Sequence, residues 1–165
     1  MKTLKKITAV LSAALIALTV TACANNSDKA SSDDGQLYRT VDEIKESGTI
    51  RIGVFTDKNP FGYIDNNGEY QGYDVYFAER IAQDLGVTLE FVPTEAANRV
   101  EFLETGKVDI VLANFTVTDE RAEKVDFALP YMKVALGVVS PDDNIITSVE
   151  QLADKTLIVV KGTTA

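Results

Sequence analysis

Over residues 49–54 apolar and polar positions alternate, with Ile50, Ile52 and Val54 on one side. This is the two-residue period of a strand with one buried face. Just upstream, Thr40 and Glu43 have the spacing of a capping box, Val41 and Ile44 share a face, and Gly48 can take the left-handed conformation that ends a helix. A short helix is predicted over 40–47. Residues 55–72 are rich in Asp, Asn, Gly and Pro and are expected to form a loop. The period then becomes helical: Val75, Ala78, Ile81, Ala82 and Leu85 recur before Gly86, with Asp74 placed to cap them. Residues 87–92 predict a second strand. Asn98 and Glu101 form a second possible box around a helix carrying Val100 and Leu103 and closed by Gly106. Residues 108–113 (VDIVLA) are almost continuously apolar, as in a strand covered on both faces.

Strand, helix, strand, helix, strand at these spacings predicts two right-handed parallel crossover units and an α/β fold. Farther along, a short helix is expected over 119–123 and an extended segment over 132–139. Ser148 with Gln151 makes another capping box, and residues 156–160 read as a final apolar strand before Lys161, Gly162, Thr163 and Thr164. No period of 20–50 residues repeats, which excludes a solenoid. After Ser140-Pro141 only 24 residues follow, too few for a core of their own. A second unit begins there and stops.

The first 22 residues carry a different message. Lys2, Lys5 and Lys6 precede an apolar run over 7–20, which ends in Val20-Thr21-Ala22-Cys23. A basic start, a short apolar stretch and small residues form the order of a secretion signal. A spanning helix needs about 20 apolar residues, so cleavage is expected rather than insertion. Small residues before a Cys resemble a bacterial lipobox, in which Cys23 is acylated and becomes the mature N-terminus. Residues 24–36 (ANNSDKASSDDGQ) contain no aliphatic side chain larger than Ala and read as a flexible tether.

Composition narrows the chemistry. The 165-residue chain has 16 Lys+Arg against 25 Asp+Glu, net charge −9, which argues against nucleic acid as a partner. Without residues 1–22 the balance is 13 basic to 25 acidic side chains, net −12, so membrane attachment must come from lipid. The chain has no His and one Cys; His-based proton shuttles, Ser-His and Cys-His nucleophile pairs and an internal disulfide are excluded. No metal or cofactor is expected.

In open parallel sheets ligands sit beyond the carboxyl ends of the strands. For this chain that rim comprises residues 55–63, 93–99, 114–121 and the turn at 162–164. The rim holds hydroxyls, amides, aromatics and the cations Lys58, Arg99 and Arg121. An acidic protein with cations at its ligand edge suits an anionic group, and an arginine fork matches a carboxylate. Position alone leaves each arginine equally readable as a solvated surface residue.

The run 113–121 (ANFTVTDER), followed by Val125-Asp126-Phe127 and Pro130-Tyr131, resembles the signature of bacterial extracellular solute-binding proteins of family 3, the amino-acid receptors of ABC importers. Arg51-Ile52-Gly53, Pro60-Phe61, Gly68 with Gln71-Gly72-Tyr73-Asp74, Lys107-Val108-Asp109 and Gly162-Thr163-Thr164 agree in order and spacing. The resemblance covers residue 49 to the last residue. It is also close to the cysteine-binding lipoproteins of that family over 95–101, 114–118 and 131–138.

The resemblance implies a periplasmic-binding-protein-like (type II) fold of two lobes, with a ligand held by one lobe recruiting the other in a hinge closure. The first lobe would be 37–138, nearly complete, and residues 139–165 the crossover and the start of a truncated second lobe. Roughly another hundred residues would follow in the family chain, making this an N-terminal fragment. Arg121 would clamp the α-carboxylate of a free amino acid, helped by the backbone amides of Thr116 and Thr164. The Thr116 hydroxyl and the Asn114 carbonyl would take part of the ammonium. Phe55 stands where arginine-, lysine- and glutamine-type members often have Asp, and Lys58 where they have a stacking aromatic, so a cationic ligand side chain is disfavoured. Arg99 either salt-bridges an acidic ligand side chain or lines a pocket for a small polar amino acid. Phe55, Phe61 and Tyr63 either wall the aliphatic part of the ligand or pack in the core, and Thr163 either joins the site or caps a helix. Asp57, Asp65 and Asp109 read as turn and strand-end residues.

The implied role is a monomeric lipoprotein that delivers cysteine, cystine or another small polar amino acid to a permease and ATPase complex. It would be exported and lipid-anchored, in the periplasm or on the cell membrane. An aspartate or glutamate receptor of the same family is the alternative. Outside that class stand a cyclohexadienyl-dehydratase-like enzyme on the same fold, which would turn over prephenate or arogenate, and a sensor module, which the lipobox argues against.

Overall fold

Helix α1 (Val41–Ser47) begins as its capping box dictates: the Thr40 hydroxyl accepts the Glu43 amide, and the Glu43 carboxylate accepts the Thr40 amide at 2.6 Å. It stops at Gly48, which has φ 71°. This is a computed structural model that describes residues 38–165. The expected signal segment, Cys23 and the tether lie outside the described residues. Of the face predicted for α1 only Ile44 is buried; Val41 is exposed.

Strand β1 (Thr49–Val54) follows, and its alternation has the predicted result: Ile50, Ile52 and Val54 are fully buried. Small antiparallel strands β2 (Asp57–Lys58), β3 (Gly62–Ile64) and β4 (Tyr70–Gln71) come next, then α2 (Tyr73–Leu85), β5 (Thr88–Pro93), α3 (Arg99–Glu104), β6 (Ile110–Leu112) and α4 (Asp119–Ala122). The main sheet has order β5-β1-β6, all parallel, in register from Thr49 beside Thr88 and Ile52 beside Ile110. The central position of β1 explains why its inward residues are the most buried. Ile44, Ala78, Ala82 and Leu112 close around them, with Phe77, Ile81 and Leu85 packed alongside. Each such aliphatic side chain contributes about 1.5–3 kcal/mol when taken from water into a core.

Several expectations are corrected. Within residues 55–72, expected to be loop throughout, three short segments pair as the antiparallel sheet β2-β3-β4. The reversal between β3 and β4 is made by Asp65, whose carboxylate accepts the amides of Asn67 and Glu69 at 2.8 and 3.0 Å, next to Gly68 at φ 86°. Asp74 does not cap α2. Gly72 holds the cap position, and Asp74 lies inside the first turn with no exposed surface. Asn98 and Ser148 occupy cap positions but make no capping bond. Gln151 instead accepts the Thr147 amide at 2.8 Å, beside a single 3₁₀ turn over Val149–Leu152. The cap of α4 is Thr118, whose hydroxyl accepts the Arg121 amide at 3.3 Å. Residues 156–160, expected as a strand, contain none among the described residues, and Leu157, Ile158, Val159 and Val160 are exposed. A strand needs a neighbour for its backbone hydrogen bonds, and residues 156–160 have none among the described residues.

At the amino ends of β1 and β6 sits Asp109, whose side chain is 1% exposed. It accepts Arg39 Nε at 2.9 Å together with that residue's Nη2, the Arg51 amide at 2.7 Å and Arg51 Nη2 at 2.9 Å. Burial alone would raise its carboxyl pKa; the hydrogen bonds from Arg39 and Arg51 outweigh this and bring it down to about 2. Asp109 is thus the structural strand-end residue expected of it, at the end of the sheet opposite the rim.

Candidate ligand-binding site

The rim is built where β1, β5 and β6 end. β6 stops at Leu112, and two residues later Asn114 adopts φ 44°, the described non-glycine residue with positive φ. Its amide donates to Asp74 Oδ2 at 2.9 Å, and its carbonyl accepts Arg99 Nη1 at 2.9 Å. Asn114 is therefore held on one side by a buried acid and on the other by a buried base.

Arg99 opens α3 with only 3% of its surface exposed. Nε donates to the Ala96 carbonyl at 3.0 Å, Nη1 to those of Ala113 and Asn114 at 2.9 Å each, and Nη2 to that of Gly162 at 2.7 Å. The aromatic rings of Phe115 and Phe55 lie 4.5 and 5.7 Å from its guanidinium carbon. Burial, and then the nearby Arg121, lower its pKa to about 10. The structure places Arg99 inside the rim, with four hydrogen bonds to backbone carbonyls out of five N–H donors, so that it braces the rim from within.

Arg121 sits on α4, half-buried. Its Nη1 donates to the Thr116 carbonyl and its Nη2 to the Gly162 carbonyl, both at 2.7 Å, and it lies 4.9 Å from the Phe115 centroid. These bonds use two of five N–H donors, leaving others for a carboxylate. Thr116 thus contributes a carbonyl that aims Arg121, and its own side chain is at the exposed surface. Gly162 has φ 84°, and a Cβ there would stand 2.6 Å from the Ala96 carbonyl oxygen, so its turn lies directly against the 96–99 segment. Thr163 closes that turn on itself, its hydroxyl donating to the Val160 carbonyl at 2.7 Å; Thr164 follows, exposed.

A cleft of about 470 Å³ at the rim is walled by residues that include Phe55, Lys58, Thr94, Glu95, Asn98 and Val160; Arg99, Arg121, Asn114, Thr116, Thr163 and Thr164 are not among its walls. The structure brings Phe55 and Lys58 to it, whereas Phe61 and Tyr63 are not among its walls. Lys58 is paired at the surface with the neighbouring Asp57. Tyr63 pairs in β3 with Asp57 and Gln71, and Phe61 receives the Asp74 amide on its carbonyl at 2.9 Å.

Sequence reasoning missed Asp74, Phe115 and Tyr131. Asp74 Oδ1 accepts the Tyr131 hydroxyl at 2.7 Å, and the Tyr73 hydroxyl donates to the Tyr131 carbonyl at 3.1 Å. Burial raises the pKa of both Asp74 and Tyr131; hydrogen bonds from Tyr131 and Asn114 oppose it at Asp74, and Asp74 adds to it at Tyr131. One signal was available: Asp74 adjoins Val75 at the start of an apolar helix face, and an inward acid needs a partner.

The parallel β5-β1-β6 sheet carries its basic rim beyond the carboxyl ends of its strands, where open α/β sheets bind ligands. The chain belongs to the bacterial extracellular solute-binding proteins, family 3, whose model matches residues 50–164, and it has their periplasmic-binding-protein-like α/β fold. A crystal structure of the solute receptor for L-cysteine of Neisseria gonorrhoeae is 64% identical with a TM-score of 0.73, covering 76% of this chain and 52% of that one. The L-cystine-binding protein TcyJ of Escherichia coli K12 is 32% identical over 114 residues, 69% of this chain and 41% of TcyJ. A cyclohexadienyl dehydratase of Pseudomonas aeruginosa is 34% identical over 93 residues, 56% of this chain and 35% of the enzyme. The chain thus spans about half, or less, of the length of these relatives.

Proposed function

We propose that this chain is the ligand-gripping first lobe, residues 37–138, and the start of the second, of an exported receptor. That receptor captures free cysteine or cystine and delivers it to an ABC permease and its ATPase. The observation that carries this is the 64% identity to the gonococcal L-cysteine receptor. Arg121 supplies the chemistry: a half-buried guanidinium, aimed by the Thr116 carbonyl, with donors left for the α-carboxylate. The ligand closes the second lobe onto the first to the extent that it makes additional contacts in the closed state. Residues 1–22 are the cleaved signal, Cys23 carries the lipid, and 24–36 span the distance from membrane to fold. The receptor binds without turnover, as a monomer.

The test is a thermal-shift screen of the complete mature receptor against the twenty amino acids and cystine. L-cysteine or L-cystine should give the largest rise in melting temperature. A larger rise with aspartate or glutamate would move the protein to the acidic-ligand receptors, and release of product from prephenate or arogenate would make it an enzyme.

A further inference from the structure

We propose that Asp74 is a positioning residue for ligand capture: it pins Asn114 in its left-handed turn and, through Tyr131, fastens the chain that runs on toward the crossover to the ligand loop. The inference rests on the amino-acid receptor reading above and deepens it.

Asp74 stands in the first turn of the 13-residue helix α2, where a carboxylate is favoured by the helix dipole. A residue present only for that purpose could remain in water. Asp74 has no exposed surface, and its two oxygens accept donors 40 and 57 positions away in sequence: the Asn114 amide at 2.9 Å and the Tyr131 hydroxyl at 2.7 Å. Positive φ is unfavourable for any residue with a Cβ, and Asn tolerates it better than most. In an extended strand, moreover, successive carbonyls point to opposite sides. The turn at Asn114 brings the carbonyls of Ala113 and Asn114 onto the same nitrogen, Nη1 of Arg99. Two residues on, the Thr116 carbonyl meets Arg121 at 2.7 Å. The pin on Asn114 therefore sets the path on which the carboxylate-binding arginine depends.

Tyr131 supplies the second half. Its hydroxyl is held by Asp74, its carbonyl by the Tyr73 hydroxyl, and its ring packs 4.8 Å from Phe77. Residue 131 lies in the same lobe, eight positions before 139, where the crossover of the proposed receptor begins. One carboxylate thus ties the loop that grips the ligand to the segment that approaches the crossover.

The test uses the complete mature receptor and calorimetric titration with L-cysteine, with thermal melting as the check on folding. Asp74→Ala should weaken binding by about tenfold or more in the parent but by less than about threefold in an Asn114→Gly background, because glycine takes positive φ without the pin. Equal losses in both backgrounds would assign Asp74 a merely structural role and overturn the proposal, as would a folded Asp74→Ala receptor binding within about twofold of the parent. If Asp74→Ala does not fold, Tyr131→Phe decides, since it removes one hydroxyl and keeps the ring. Binding at least about threefold weaker at an unchanged melting temperature supports the proposal, and anything less overturns it. A parent receptor that binds no amino acid rejects the underlying receptor reading, and that result is read before any variant is compared.

Discussion

Arg99 and Arg121 donate to the same oxygen, the carbonyl of Gly162, each at 2.7 Å. Both also lie against the ring of Phe115, at 4.5 and 4.9 Å. Their surroundings nonetheless divide their work. Arg99 is buried with its donors on backbone carbonyls, whereas Arg121 is half-exposed with donors to spare. Like charges this close are tolerated because carbonyl oxygens and an aromatic face surround both.

Arg99→Leu should destabilise the receptor by about 2–4 kcal/mol, because it leaves buried carbonyls of Ala96, Ala113 and Asn114 without their donor. Arg99→Lys should recover less than half of the loss, since an ammonium cannot reproduce the planar fork. Urea unfolding measures both. A loss for Arg99→Leu below about 1 kcal/mol would remove Arg99 from the frame.

Arg121→Ala should leave apo stability within about 1 kcal/mol of the parent, because its two hydrogen bonds are at the exposed rim. It should also eliminate the thermal shift given by L-cysteine. A retained shift would show that the carboxylate is held elsewhere.

The Asp109 clamp makes acid stability depend on one carboxyl. Its folded pKa of about 2 lies below the ordinary 3.8, so the clamp contributes fully above about pH 4. As pH falls toward 2, the unfolded chain takes up this proton before the folded one, and about 2 kcal/mol is lost. Asp109→Asn should be less stable at neutral pH, and its deficit should shrink by that amount on acidification. Urea midpoints at pH 7 and below pH 3 test this; a deficit independent of pH would refute it.

Gly72→Ala should be severely destabilising, by about 3 kcal/mol or more. Gly72 has φ 126°, and an added Cβ would stand 2.3 Å from the Phe61 carbonyl oxygen. Neither the backbone nor β3 can yield without disturbing the start of α2. A melting temperature lowered by less than about 3 °C would contradict this.

Much of the scaffold was legible because it rests on local rules. The alternation around Ile50, Ile52 and Val54 and the Thr40–Glu43 box specify β1 and α1 whatever else the chain does. Strands β2–β4 were not legible, since two- and three-residue strands have no measurable period and the Asp65 turn joining β3 to β4 looks like any polar loop. The bracing role of Arg99 was not legible because its acceptors are carbonyls, which every residue possesses and no sequence marks. Asp74 was mistaken for a cap because its partners, Asn114 and Tyr131, are far off in the chain. The apolar run 156–160 has strand composition, but composition does not supply a neighbour.

The knot of Arg39, Arg51 and Asp109 draws on no residue of the rim. The floor of the sheet and its mouth can therefore vary independently. Loops exchanged at 55–63 or 94–98 to change ligand preference would inherit a ready-made chassis, whose loss of stability in acid travels unchanged into each new specificity.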